Sequence, residues 1–174
     1  MKAKRILSFV LAMFLLLTTI NIGYAQNDTI TNKDKVDFLV EKALVKGDSR
    51  GLRLSDPITR EEFAAMLVRS LDKEEEAKTV LNVPSTFTDL KAGYWSNGYV
   101  NLSTALKIIS GYTDRTFRPK NNVTYQEAIK MLAVAAGGTD IIAEAGENWA
   151  LPYINYAAKN GILKGLSITD YKAQ

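Results

Sequence analysis

Phe87-Thr88-Asp89, then Trp95, then Gly111-Tyr112-Thr113-Asp114-Arg115-Thr116-Phe117-Arg118-Pro119, then Val123-Thr124-Tyr125-Gln126-Glu127: these four pieces follow one another without interruption by any other motif. They spell an aromatic-headed helix, a Gly-Tyr-x-Asp turn, a Phe-x-Pro return and a helix opened by Thr-x-x-Glu. Together they form one copy of a repeat, and partial copies flank it. Trp149, Tyr153, Asn155, Ile162 and Gly165 fall 54 residues after Trp95, Tyr99, Asn101, Ile108 and Gly111. Upstream, Ile58-Thr59-Arg60-Glu61-Glu62 precedes Val123-Thr124-Tyr125-Gln126-Glu127 by 65 residues, and Lys46-Gly47 precedes Ser110-Gly111 by 64. A small repeated helical unit points to a binding or anchoring module rather than to an active site.

The repeat divides the chain. Residues 34–71 are a first copy that has lost its aromatic head, 72–86 a charge-rich linker, 87–138 a complete second copy, and 147–174 a third copy without its second helix. Residues 26–33 read as a flexible polar N-terminus. Residues 1–25 read as a signal peptide: Lys2, Lys4 and Arg5 start it, Ile6 to Leu17 is apolar, and Gly23-Tyr24-Ala25 ends it in small residues. The apolar run is short for a membrane span, so no span is expected after its removal.

The leader carries three of the 22 Lys+Arg and none of the 19 Asp+Glu, so the remainder holds 19 of each sign. The sequence pI near 9.0 therefore gives no support for nucleic-acid binding. There is no Cys and no His. No disulfide holds the fold, the Ser-His and Cys-His pairs are missing, and so are the usual zinc ligands. No cofactor, metal or catalytic residue is assigned. The carboxylates read as lying on exposed, charged helix faces, with none in an apolar setting that would raise its pKa.

Periodicity predicts helices over 34–46, from Thr59 to Leu71, over 95–109, from Thr124 to Ala136, and over 149–163. Thr59 with Glu62, and Thr124 with Glu127, have the spacing of capping boxes, which is a sufficient structural reason for those four residues. No stretch alternates long enough for a sheet. The fold class is mainly α, built from repeated helix-loop-helix units packed as a bundle.

Arg60 stands next to the cap Thr. Positive charge in a first helical turn opposes the helix dipole by about 0.3–1 kcal/mol. A planar fork beside backbone N–H groups nevertheless suits an anion; the plainer reading is a surface Arg paired with Glu61 or Asp56. Trp95 and Trp149 each head a helix, where an indole either caps the core or offers a face to a sugar ring. Gly111 and Gly165 serve backbone geometry and also allow a ligand to approach closely.

The Trp-headed helix, the Gly-Tyr-x-Asp loop and the Ile-Thr-Arg-Glu-Glu helix start resemble the S-layer homology family. Arg115 departs from the Gly usual in the family loop, and Tyr125 replaces the signature Arg. The resemblance implies three repeats in a helical prism whose grooves bind secondary cell-wall polysaccharide, often bearing ketal-linked pyruvate. Carried over by motif, one groove would use Arg60, Trp95 and Gly111. A second would use Tyr125, Trp149 and Gly165, without its cation. The resemblance thus implies a secreted, non-enzymatic module that attaches non-covalently to wall polysaccharide. Two other readings stay open: a protein-interaction or assembly module of the envelope, and an N-terminal fragment of a larger surface protein or enzyme.

Overall fold

The computed structural model describes residues 33–164. The expected signal peptide and Gly165 lie outside the described residues. Six helices follow in order: α1 (Lys33–Glu41), α2 (Arg60–Ser70), α3 (Glu74–Thr79), α4 (Asn97–Ala105), α5 (Tyr125–Ala135) and α6 (Leu151–Lys159). The described residues contain no strand, only the isolated bridges Asp48–Gly51 and Thr59–Asn122. None of these helices is long and apolar enough to cross a membrane.

The repeat is visible in the backbone. Thr59 and Thr124 each accept a hydrogen bond from the N–H three residues on, while Glu62 and Glu127 reach back to the cap N–H. Both capping boxes are thus closed. The helix ends repeat too. Ala43, Lys107 and Gly161 all take a left-handed φ, of 54°, 60° and 73°. After each, an N–H turns back five residues: Leu44 to the Leu39 carbonyl, Ile108 to Ser103, Ile162 to Ala157, all at 2.8–2.9 Å. These are Schellman ends, and they stop α1, α4 and α6 short of the spans that periodicity predicts. Asp72 and Gly137 end α2 and α5 in the same manner, with φ of 57° and 104°. Arg115, where the family loop has Gly, sits at φ 61°, a conformation that costs a non-glycine residue about 1–2 kcal/mol.

α2 lies at the centre, packed on α4 and α5, with α3 against α4 and α6 against α5. Central placement explains why Phe63, Ala64, Leu67 and Val68 are all buried, more of the helix surface than one apolar stripe. Phe117 returns from the second loop into this core and meets Phe87 with centroids 5.6 Å apart. Burial of such side chains contributes about 1.5–3 kcal/mol each. Gly111 packs against Phe87 of this pair. A Cβ there would come within 2.2 Å of Phe87 Cε1, so the position requires Gly for close approach and not for its φ.

Residues 72–86 are not the linker that their charge suggests. Glu74–Thr79 is helical and buries Ala77. α3 lies so close to α4 that a Cβ on Gly98 would be 2.1 Å from the Ala77 carbonyl. Asn97 donates to the Leu81 and Val83 carbonyls at 2.5 and 2.8 Å, fastening the rest of the segment to α4. The charge is absorbed by Glu74, which accepts from Lys46, Arg69 and Tyr99. Burial pushes its carboxyl up, but these three donors outweigh it and bring it down to about 2.

Candidate functional site

Two grooves open where one copy meets the next. The first, about 580 Å³, is lined by Lys46-Gly47, Glu62, Ala65, Met66 and Trp95, among others. The second, about 270 Å³, is lined by Ser110-Gly111, Glu127, Lys130, Met131 and Trp149. These residues correspond one for one under the repeat spacings of 64, 65 and 54. The grooves are two versions of one surface. Each takes its loop and second helix from one copy and its Trp from the next. The two indoles stand out from the core, 43% and 45% exposed.

Motif order therefore misassigns the partners. Arg60 and Gly111 do share a groove, but with Trp149 and not with Trp95. Trp95 faces Gly47 across the first groove. Tyr125 is absent from the second groove's lining and packs half-buried against the core. The second helix of copy one reaches across to the loop of copy two, so Arg60 serves the groove after its own.

Arg60 is also not an exposed fork. It is 2% exposed. Its Nε donates to the Phe117 carbonyl at 2.9 Å and its Nη1 pairs with Glu127 at 2.8 Å. The guanidinium lies 4.9 and 4.8 Å from the centroids of Tyr112 and Phe117. The helix N–H groups around it are spent as well: those of Arg60 and Glu61 donate to the Asn121 and Pro119 carbonyls at 2.9 and 3.1 Å. The start of α2 is thus sealed by the second copy. Glu127 meets Arg60 while it caps α5 and accepts from Tyr112. Burial raises its carboxyl, yet Tyr112, Thr124 and Arg60 together hold it below the usual range.

Sequence reading did not single out Lys130, the residue that sets the charge of the second groove. Its ammonium donates to Ser110 Oγ at 2.9 Å and lies 5.9 and 5.6 Å from the Trp149 and Tyr153 ring centroids. It forms no ion pair among the described residues, because Glu127 is engaged by Arg60. Burial, then the charge of Arg60, pushes its pKa down, with Glu127 opposing. A half-buried cation without a carboxylate is a place for an anion. The available signal was the repeat itself: Lys130 stands where the first copy has Ala65.

Glu61 corrects the expectation that no carboxylate is buried. It is 6% exposed on the floor of the first groove. It accepts from Ser96 Oγ at 2.7 Å and from the Tyr94 hydroxyl at 3.3 Å. Burial raises its carboxyl, against the lowering effect of those two hydroxyls.

Comparison with known proteins places the repeat in a family. The S-layer homology domain model matches residues 86–129. The chain is 31% identical over 173 residues to the surface layer protein of Brevibacillus choshinensis, a match to 94% of this chain and 15% of that protein. It is 33% identical over 144 residues to the middle cell wall protein of Brevibacillus brevis, covering 77% and 14%. It is 27% identical over 157 residues to the cellulosome-anchoring protein of Acetivibrio thermocellus, covering 84% and 35%. The chain thus spans from about a seventh to about a third of the length of these relatives. No solved structure gives a significant match. With its middle copy matched by the family model and its copies joined through the capping boxes and grooves of that same unit, the chain belongs to the S-layer homology domain family.

Proposed function

We propose that this chain is a secreted anchoring module that holds its carrier on the bacterial cell wall by binding wall polysaccharide in the second groove. The observation that carries the reading is Lys130: a half-buried ammonium with no ion pair among the described residues, beside a half-exposed indole. An acidic sugar, such as one bearing ketal-linked pyruvate, supplies what the groove lacks. Its carboxylate meets the Lys130 ammonium, and its C–H face packs on Trp149. Gly111 keeps the opposite wall low, since no side chain fits there. Arg60 acts from beneath as a positioning residue, pairing with Glu127 so that this carboxylate does not neutralise Lys130.

The family and the similarity to surface-layer, cell-wall and cellulosome-anchoring proteins support an attachment role at the envelope. The test is sedimentation with isolated cell walls, before and after chemical removal of the non-peptidoglycan polymer. The parent should sediment only with untreated walls. Lys130→Ala should remain folded and weaken binding by about 1.5–3 kcal/mol, the worth of a hydrogen bond to a charged group. Folded Lys130→Ala that sediments as well as the parent would refute the site.

A further inference from the structure

The first groove repeats the second in shape but not in charge. Its three cations are already neutralised. Lys46 and Arg69 both pair with Glu74, at 2.7 and 3.1 Å. Arg53 pairs with Asp48, Asp56 and Glu62, at 2.9, 3.0 and 2.5 Å. Ala65 replaces the lysine. What remains uncompensated is a carboxylate: Glu61, in the groove floor, bonded only to hydroxyls and with no ion pair among the described residues. Its carboxyl is raised chiefly by burial, with the Ser96 and Tyr94 hydroxyls and the more distant charge of Lys120 opposing. The groove also has apolar side chains in its lining. Leu52 and Leu54 are 37% and 42% exposed in its wall, and Trp95 stands on the opposite side in line with Tyr94 and Tyr99.

A carboxylate-bearing sugar entering here would meet Glu61 beside cations that are already ion-paired, and like charges in a partly desolvated groove repel. An uncharged sugar fits on each count. Its C–H face packs on the indole and on the leucines, and its hydroxyls donate to the carboxylate, whose two oxygens have accepting capacity beyond their two present donors. We infer that the first groove is a second carbohydrate site, selective for an uncharged sugar residue and closed to the acidic one. This rests on the reading above only in taking wall polysaccharide as the ligand. It makes the two grooves read different residues of a polymer instead of competing for one.

The chain has two tryptophans, one per groove, so each groove can be watched alone. Trp149→Phe leaves Trp95 as the sole indole, and Trp95→Phe leaves Trp149. Both variants of the full chain would be titrated by fluorescence with wall polysaccharide released from Brevibacillus choshinensis. The same polymer would then be used after carbodiimide-borohydride reduction of its carboxylates to alcohols. The Trp95 indole should respond to both forms with midpoints within threefold, while the Trp149 indole loses its response at least tenfold on reduction. The inference is overturned if the Trp95 response disappears with the carboxylates, or if that indole responds to neither form. The reading of the second groove fails separately, if the Trp149 indole ignores the native polymer. Circular dichroism on both variants confirms that each remains folded.

Discussion

The first and second grooves are built on one frame. Thr59 and Thr124 cap their helices alike, Glu62 and Glu127 close the boxes, and Met66 and Met131 line equivalent walls. What differs is the few residues the frame does not need. Position 65 is Ala and position 130 is Lys; position 48 is Asp and position 112 is Tyr. The cap glutamate has a local partner in the first groove, Arg53, and a partner from another copy in the second, Arg60. Repetition therefore preserves the shape of a groove and leaves its charge free to vary. Family membership alone says little about which sugar a given groove takes.

Arg60 gives the most severe way to break this comparison. It is buried, ion-paired and stacked, so Arg60→Ala takes from the partly buried Glu127 its ion-pair partner and empties the space between the Tyr112 and Phe117 rings. A loss of about 3–5 kcal/mol is expected, measured by urea denaturation. Arg60→Lys should recover only part, since a point charge cannot reproduce the fork and the ring contacts. A folded Arg60→Ala protein of parental stability would mean the copies are not joined through this residue.

Next is acid. Glu74 ties Lys46 and Arg69 beside the first groove, with its carboxyl held at about 2. A depressed carboxyl stabilises the fold above its unfolded value of 4.5 and loses that contribution as pH falls through the folded value. Stability should thus fall between about pH 4.5 and 2, by about 1–2 kcal/mol from this residue once solvent screening is discounted. Glu74→Gln should flatten that part of the profile; an unaltered slope would remove Glu74 from the account.

Thr59→Ala and Thr124→Ala sharpen the equivalence of the frames. Each should cost about 1 kcal/mol by chemical denaturation, within the range of 0.5–2 kcal/mol for lost caps. A cost at one position and none at the other would show the two helix starts to be unequal. The smallest effect is expected from Lys130→Met. Burial already disfavours that ammonium, so its replacement should leave stability unchanged within about 0.5 kcal/mol by thermal melting, while wall binding falls. A large loss of stability would make Lys130 a structural residue.

Much of this was legible beforehand. Thr59 with Glu62 and Thr124 with Glu127 carry their own local explanation, and three-four spacing located the helices. The third copy's Gly161 ends its helix inside the span that periodicity predicts, and Ala43 and Lys107 hide the same left-handed turn behind ordinary side chains. Glu74–Thr79 was misread because its charges find partners on other elements, which composition does not record. The groove assignments failed for a different reason. Aligning copies tells which residues are equivalent, not which ones touch. Arg60 and Trp149 are 89 positions apart, and only the packing of α2 beside α5, and of α5 beside α6, brings them to one groove.

The pairing of Ile58–Glu61 with Pro119–Val123 has a consequence for how such modules can be inherited or transplanted. Arg60 comes from the first copy, the Gly111 loop and Lys130 from the second, and Trp149 from the third. A gene segment encoding one copy carries a loop, a capped helix and an indole, but no finished groove. Duplicating it once completes a groove of the first kind, but the second groove also draws Arg60 from the copy before and its indole from the copy after. The smallest portion of this chain that keeps the second groove whole must therefore begin before Arg60 and continue past Trp149, with every boundary between copies kept intact.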